Sequence, residues 1–273
     1  MKKFDGILIC TDLDGTILDN DKNISAENLE AIEYFKSEGG LFTFVTGRMP
    51  FYVKDIYSIL NPNCPFGCIN GGGLYDHKKQ EYLWNQGFDK SPLDLVEYID
   101  EQLPGMGIQL NTFDKVYFCR ENSAMEEFRR ITGVENVTCG IRDLDLPLAK
   151  IVFGHEDPKV VDRVGELLDA PPETDDFDFV RSDIALHEIL PKGINKGMVI
   201  HKLAELLGID VKRTVAIGDY NNDIPMIKAA GVGVAVSNAI PEVLEAADYV
   251  TVSNQEHAIK RLIMDIDEGV LKV

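Results

Sequence analysis

Basic residues are scarce in this chain of 273 residues, which has 27 lysines and arginines against 46 aspartates and glutamates and a formal net charge of −19. Such a surface repels phosphate backbones and anionic lipids, so nucleic-acid and membrane partners are not expected. A small phosphorylated substrate is still compatible with this charge, because a local group of cations or a bound metal ion can reverse the field inside one cleft.

Cysteines are also few, and long apolar runs are missing. Cys64 and Cys68 could be half of a metal site, but no second pair or nearby histidine completes it, so free thiols and a reducing, cytoplasmic compartment are expected. The first apolar run ends before Asp12, too early for a secretory signal, and no window approaches the ~20 apolar residues of a membrane span.

The composition is that of a globular protein, with 45% hydrophobic and 27% charged residues. Continuous apolar runs at Gly6–Cys10 and Leu41–Val45 predict strands buried on both faces of a parallel sheet, and Ser25 is a candidate N-cap for the helix between them. Helices and strands alternate again late in the chain, as in Lys196–Leu207 and Thr214–Ile217. The pattern predicts an α/β fold with a doubly wound, Rossmann-like parallel sheet.

The middle of the chain has a different pattern. Its predicted strands are joined by turns of two or three residues, at Phe113-Asp114-Lys115 and Ser182-Asp183, and strands joined so closely must be antiparallel. An exposed acidic loop is expected over 171–176. The predicted organisation is a core formed by 1–86 and 189–273, with an inserted α+β cap domain over 87–188.

Two aspartates follow the first predicted strand, in Asp12-Leu13-Asp14-Gly15-Thr16. Residues two apart on an extended chain point the same way, so Asp12 and Asp14 are expected to face one spot. Crowded carboxylates repel each other unless a cation bridges them or one takes a proton. One carboxylate could then attack phosphorus while the other transfers protons.

Two turns could bind phosphate oxygens, and each also has a simpler interpretation. Thr46-Gly47-Arg48 offers a hydroxyl and a backbone amide after the second strand, although a capping threonine with a turn glycine would look the same. Asn70-Gly71-Gly72-Gly73 could cradle a phosphate, but a tight turn into a hairpin is the simpler interpretation.

Lys196 falls in the first turn of a predicted helix, where the helix dipole disfavours a cation. An anionic partner, such as a pair of carboxylates with a phosphate, would account for this position. A solvated surface lysine is the alternative.

A second acidic cluster, Gly218-Asp219-Tyr220-Asn221-Asn222-Asp223, follows the strand Thr214–Ile217. The spacing of Asp219 and Asp223 places them on one face of a helical turn. Mg²⁺ prefers oxygen ligands, typically one or two carboxylates with waters and phosphate oxygens. The sequence therefore predicts a magnesium site in which Asp219 joins Asp12 and Asp223 orients a ligand.

The order and spacing of these clusters resemble the haloacid dehalogenase superfamily of phosphatases over the whole chain. The four motifs that carry the resemblance are Asp12-Leu13-Asp14-Gly15-Thr16, Thr46, Lys196 and Gly218-Asp219 through Asp223. The chain more narrowly resembles the Cof-like branch with a type IIB cap. The branch features are Thr46-Gly47-Arg48, Asn70-Gly71, Pro191-Lys192-Gly193 through Lys196-Gly197, and Asn222-Asp223.

The resemblance implies a Mg²⁺-dependent phosphatase that acts on a small phosphorylated metabolite through an aspartyl phosphate. Asp12 would be the nucleophile, and Asp14 the general acid and base. The implied ligands are Thr46, Gly47, Lys196 and Asn222 for the phosphoryl group, and Asp12, Asp14 (through its backbone carbonyl), Asp219 and Asp223 for the metal site.

Other functions share parts of this pattern. A phosphomutase would use the same intermediate and return the phosphate to its sugar, whereas a receiver-like or catalytically idle module would bind a phosphometabolite without turnover. A transport ATPase would need membrane spans. The cap would act as a lid that sets specificity, with His187, Arg181 and Arg120 as candidate substrate contacts. No feature of the sequence predicts an oligomeric state.

Overall fold

The computed structural model describes residues 2–144, 147–168 and 172–273, and the chain forms two compact units. The first unit comprises Met1–Gly47, Lys54–Trp84 and Asn195–Val273. The second comprises Arg48–Val53 and Asn85–Ile194, a range that includes the segment predicted as an insertion.

Strands and helices are numbered in chain order. The strands are β1 (Leu8–Thr11), β2 (Leu41–Phe44), β3 (Phe66–Cys68), β4 (Gly73–Asp76), β5 (Glu81–Asn85), β6 (Gly107–Asn111), β7 (Val116–Arg120), β8 (Lys150–Gly154), β9 (Phe177–Asp183), β10 (Leu186–Pro191), β11 (Thr214–Gly218), β12 (Val232–Ala235) and β13 (Tyr249–Val250). The helices are α1 (Ala26–Ser37), α2 (Lys54–Leu60), α3 (Leu93–Gln102), α4 (Ser123–Thr132), α5 (Pro158–Leu168), α6 (Lys196–Leu207), α7 (Ile224–Ala229), α8 (Pro241–Ala246) and α9 (Ala258–Asp267).

The first unit is built on a five-stranded sheet in the order β13-β12-β11-β1-β2, in which every neighbouring pair is parallel. All four residues of β1 are buried, as its continuous apolar run predicts. The helices pack in two groups: α1 packs on α9, and α7 packs on both α6 and α8. The doubly wound α/β core predicted from the sequence is confirmed.

Local capping sets where the helices of this unit begin and end. The predicted N-cap Ser25 accepts a hydrogen bond from the backbone N–H of Asn28, at the start of α1. Asn195 caps α6 by accepting from the N–H of Gly197, and Gly208 ends α6 in the left-handed conformation. Helix α6 therefore has the bounds that the sequence predicts.

The second unit is an antiparallel five-stranded sheet in the order β7-β6-β8-β10-β9 with α3, α4 and α5. Alternate residues of its central strands share one core with α3 and α5; from these strands the core takes Ile108, Leu110, Ile151, Phe153 and Ile189. The α+β character predicted for the middle of the chain is confirmed.

Two predicted boundaries are displaced by two residues for local reasons, whereas the predicted ends of β1, β2 and β11 each differ by one residue. The first strand begins at Leu8 rather than Gly6, because Gly6 adopts a left-handed turn conformation with φ 77°. Strand β9 continues through Asp183, which pairs with Leu186, so the turn lies at residues 184–185 and not at 182–183. The predicted acidic loop begins at Pro171, which lies outside the described residues, and residues 172–176 form a 3₁₀ helix.

Each helix within the described ranges is too short or too polar to cross a membrane.

Candidate active site

The polar residues predicted to act together lie at one edge of the parallel sheet. Asp12 directly follows β1, Thr46 follows β2, and Asp219 directly follows β11. Strand β1 lies between the other two and runs parallel to both, so the three carboxyl ends meet at one edge. Ligand sites in open α/β sheets form at this edge.

Three carboxylates converge there, from Asp12, Asp219 and Asp223, each with an oxygen within 4.8 Å of the others. Burial and the neighbouring Asp223 raise the pKa of Asp12 well above its usual range, although Lys196 works against this. The same two causes raise the pKa of Asp219 to about 7. The cluster therefore holds more negative charge than its surroundings stabilise.

The ammonium of Lys196 lies inside this cluster. Its Nζ is 2.7 Å from Oδ1 of Asp12 and 2.5 Å from Oδ1 of Asp223, and the lysine is only 1% exposed. Burial alone would lower the pKa of Lys196, but the two carboxylates outweigh it and hold the pKa above its usual range. The anionic partner predicted from the helix position is confirmed, and the solvated surface lysine is not found.

Asp219 and Asp223 do not lie on one face of an α-helical turn, so that part of the prediction is wrong. Residues 221–223 form a 3₁₀ helix, and α7 starts only at Ile224. Oδ2 of Asp223 turns back to accept the backbone N–H groups of Asp219 and Tyr220, at 2.9 and 3.0 Å. Asp223 thereby holds the backbone that carries Asp219, since a buried carboxylate requires such donors.

The loop after β1 reaches the same cluster through Gly15 and Thr16. The Thr16 hydroxyl donates to Oδ1 of Asp219 at 2.6 Å. Gly15 has φ 75°, and a Cβ there would overlap the Asp219 carboxylate. Glycine is needed at this position both for the turn and for the close approach.

Asp14 is placed differently from its neighbour Asp12. Its side chain is 37% exposed, and Oδ1 of Asp14 lies 2.9 Å from Nζ of Lys22. Among the described residues, the carboxylate group that could hold a metal ion does not include the Asp14 side chain. The backbone is extended at both Asp12 and Asp14 and turns only at Gly15, so the expectation that the two side chains face one spot stays a prediction.

The predicted phosphate ligands lie around a buried turn of the same unit. Thr46 is 1% exposed, and its carbonyl accepts the N–H of Asn70 at 3.1 Å. Asn222 is 8% exposed, and its Nδ2 donates to Oδ1 of Asn70 at 3.0 Å. A Cβ at Gly47 would also lie 2.9 Å from that oxygen. The hairpin expected after Asn70 is confirmed as β4 and β5.

The three candidate cap residues are engaged within the second unit. Arg120 donates through Nε and Nη2 to Asp100, at 3.0 and 2.6 Å. Arg181 pairs with Asp162, and His187 is buried on β10. Both arginine charges are therefore balanced by carboxylates of the same unit.

Sequence reasoning missed three contacts of this site: Thr16 with Asp219, Lys196 with Asp223, and Asn70 with Asn222. Two of them left a signal: Thr16 stands in the first motif without an assigned role, and Lys196 in the first turn of a helix indicated an anionic partner without naming Asp223. The partners in the three contacts are 203, 27 and 152 residues apart, so no local pattern pairs them.

Three carboxylates and a buried lysine at the carboxyl edge of a parallel sheet are the functional groups expected of an enzyme that acts on phosphate esters. A family model of the haloacid dehalogenase-like hydrolases matches residues 9–263. The chain belongs to this family.

Relatives of assigned or putative function match nearly the whole chain. Putative phosphatase YxeH of Bacillus subtilis is 31% identical over 271 residues, which cover 95% of this chain and 97% of the relative. The 5-amino-6-(5-phospho-D-ribitylamino)uracil phosphatase YitU of Bacillus subtilis is 29% identical over 264 residues, covering 94% and 96%. With the family, these relatives identify the chain as a phosphatase.

Among solved structures, the subclass IIB sugar phosphatase BT4131 of the same superfamily aligns with a TM-score of 0.84. The alignment covers 97% of this chain and 100% of BT4131 at 21% sequence identity. This likeness shows that the chain shares the fold of BT4131.

Proposed function

We propose that this phosphatase depends on Mg²⁺ and hydrolyses a small phosphorylated metabolite through an aspartyl phosphate on Asp12, with Asp14 as the general acid and base. The observation that carries the proposal is the group of Asp12, Asp219 and Asp223 around the buried ammonium of Lys196. An ion pair alone would need one carboxylate, whereas a site for a divalent cation and a phosphoryl group needs the excess.

The donor set fits a hard divalent cation, because carboxylate oxygens are the ligands that Mg²⁺ prefers. Asp12 and Asp219 would hold it directly, together with the backbone carbonyl of Asp14. Both oxygens of Asp223 already accept hydrogen bonds, so Asp223 would support the site through Lys196 and the Asp219 backbone. A bound Mg²⁺ would neutralise charge on the phosphoryl oxygens.

The reaction proceeds in two displacements. The Asp12 carboxylate attacks phosphorus, the bond from phosphorus to the leaving oxygen breaks, and Asp14 protonates that oxygen. Water then attacks the phosphorus of the aspartyl phosphate, Asp14 takes a proton from the water, and Asp12 returns as a carboxylate. The phosphoryl oxygens are held by Lys196, Thr46, Gly47 and Asn222.

The substrate we propose is a phosphate monoester of a small metabolite, since the net charge of −19 disfavours polyanions. The relative YitU is named for 5-amino-6-(5-phospho-D-ribitylamino)uracil, which makes this compound the first to test, beside sugar phosphates. All five cysteines are free thiols, which supports a reducing, cytoplasmic compartment as part of the proposal.

The test is release of inorganic phosphate from a panel of phosphometabolites, with Mg²⁺ and with EDTA, beside Asp12→Asn. Asp55→Asn is the matched control, because Asp55 is an exposed carboxylate on α2. We expect Mg²⁺-dependent release that Asp12→Asn abolishes and Asp55→Asn retains.

Two other results would redirect the assignment. Conversion of a sugar phosphate to its isomer without release would identify a mutase. Binding of the panel by a folded protein without any turnover would identify a sensor and contradict the proposal.

A further inference from the structure

Asn70 directly follows a residue, Ile69, that is held in an unfavourable backbone conformation inside the first unit. Ile69 and Asn70 both have positive φ, 56° and 50°, and a β-branched residue such as isoleucine is rarely found there. The backbone that follows is tightly packed, since a Cβ at Gly71 would overlap the carbonyl of Asn195. Strained backbone of this kind, kept by its surroundings, is concentrated at functional sites.

The Asn70 side chain is buried and contacts two residues proposed to bind phosphate. Asn70 is 1% exposed, its Oδ1 accepts from Nδ2 of Asn222, and the same oxygen lies 2.9 Å from where a Cβ of Gly47 would stand. The backbone N–H of Asn70 donates to the carbonyl of Thr46. Asn70 thus contacts three of the four residues proposed to hold the phosphoryl oxygens.

The contact with Asn222 has a chemical consequence. A primary amide can present either its oxygen or its NH₂ group, and only the NH₂ group attracts a phosphoryl oxygen. Oδ1 of Asn70 is an acceptor, so it requires the nitrogen of Asn222 on its side. One N–H of that nitrogen is donated to Asn70, which leaves the second for another acceptor. The reversed amide would bring two oxygens together at 3.0 Å.

We propose that Asn70 is a positioning residue for phosphate binding, which acts through Asn222 by fixing the orientation of its amide. The inference rests on the proposed function, in which Asn222 binds the phosphoryl group. It gives Asn70 a role beyond the turn that its sequence context predicts.

The test is a double-mutant cycle of Asn70→Gly and Asn222→Ala. Glycine tolerates the positive φ of position 70, so Asn70→Gly removes the amide without adding backbone strain. The matched control is Asn61→Gly, because Asn61 also has positive φ, 44°, but is exposed at the end of α2. The readouts are kcat/KM and the inhibition constant of inorganic phosphate.

We expect Asn70→Gly to lower kcat/KM and to weaken phosphate inhibition about tenfold in the wild-type background. In the Asn222→Ala background the same change should have an effect below about twofold, because the amide it orients is already gone. Asn61→Gly should change neither quantity. A merely structural role would not produce this dependence on Asn222.

Equal losses from Asn70→Gly in both backgrounds would overturn the inference and assign the effect to packing on Gly47. An unchanged phosphate affinity in Asn70→Gly would also overturn it. If Asn70→Gly does not fold, as judged by thermal unfolding, Asn70→Ser takes its place in the same cycle.

Failure of the proposed function can be distinguished from failure of the inference about Asn70. A wild-type protein that releases no phosphate from any ester would contradict that function. The cycle would then be measured by calorimetric titration with inorganic phosphate.

Discussion

Each unit of the molecule buries a lysine against carboxylates, but the charges balance in only one of them. In the second unit Nζ of Lys150 lies 2.9 Å from Oε2 of Glu188, and the hydroxyl of Ser182 donates to Oε1 of Glu188 at 2.6 Å. In the first unit one ammonium, that of Lys196, faces a group of three carboxylates.

The difference separates a structural ion pair from a binding site. The Lys150–Glu188 pair lies between strands of one sheet, and both of its partners are buried there. The cluster around Lys196 is left with net negative charge, and burial together with this charge raises the pKa values of Asp12 and Asp219. A buried excess of one charge is costly unless a ligand compensates it, so the imbalance itself marks the functional unit.

The largest effect should come from removing the cation of the unbalanced cluster. Lys196→Met is expected to lower kcat for phosphate release by a factor on the order of 10³, because a preorganised donor to the phosphoryl oxygens is lost. Steady-state kinetics measures this. The control is Lys202→Met, which changes a lysine of the same helix that stacks on Trp84. A kcat of Lys196→Met within tenfold of wild type would contradict the assignment.

Breaking the balanced pair should affect stability. Lys150→Met leaves Glu188 buried without its cation and should lower the free energy of unfolding by about 3–5 kcal/mol. The double variant Lys150→Met with Glu188→Met should recover most of that loss, since a buried ion pair can be replaced by apolar side chains. Urea denaturation measures both variants. A double variant no more stable than Lys150→Met would show that the stability of the pair depends on residues other than Lys150 and Glu188.

The excess charge should make the metal-free protein less stable as pH rises. The pKa of Asp219 is raised to about 7 in the fold, so its contribution to stability is present below the unfolded pKa of about 4 and is lost as pH rises through 7. Asp219→Asn should therefore gain stability relative to wild type across this window. Thermal unfolding in EDTA at several pH values measures the difference.

Mg²⁺ should remove that difference. At a hundredfold excess over its dissociation constant it should stabilise the wild type by about 2.7 kcal/mol at neutral pH, and Asp219→Asn by much less. An equal rise in Tm for both proteins would place the ion elsewhere.

The smallest effect on stability should come from the exposed pair of Lys22 and Asp14, whose side chains are 49% and 37% exposed. Lys22→Ala should change the free energy of unfolding by about 1 kcal/mol or less. The same variant, Lys22→Ala, also tests catalysis. If Asp14 protonates the leaving oxygen, Lys22→Ala should lower the turnover of a sugar phosphate more than that of p-nitrophenyl phosphate, because the leaving group of the latter needs no proton. An equal loss for both substrates would argue against a role of Lys22 in orienting the acid.

Local chemistry explains which parts of the site could be predicted. A lysine in the first turn of α6 opposes the helix dipole, and that conflict correctly indicated an anionic partner. The prediction that Asp219 and Asp223 share one face of a helical turn was wrong, also because of a local interaction. Their spacing suits a helix, but the buried carboxylate of Asp223 bonds to the backbone N–H groups before it and the turn becomes 3₁₀.

The sequence by itself determined the α/β class, the antiparallel strands in the middle of the chain and the residues that follow strands β1, β2 and β11, because apolar periodicity and capping are local properties. Only the tertiary structure decided which of those residues share one space. The placement of β1 between β2 and β11 brings Asp12 and Asp219 together, and a turn in strained backbone seats Asn70 against Asn222. Such contacts join residues far apart in the chain, and their distances are set by packing, which no local pattern encodes.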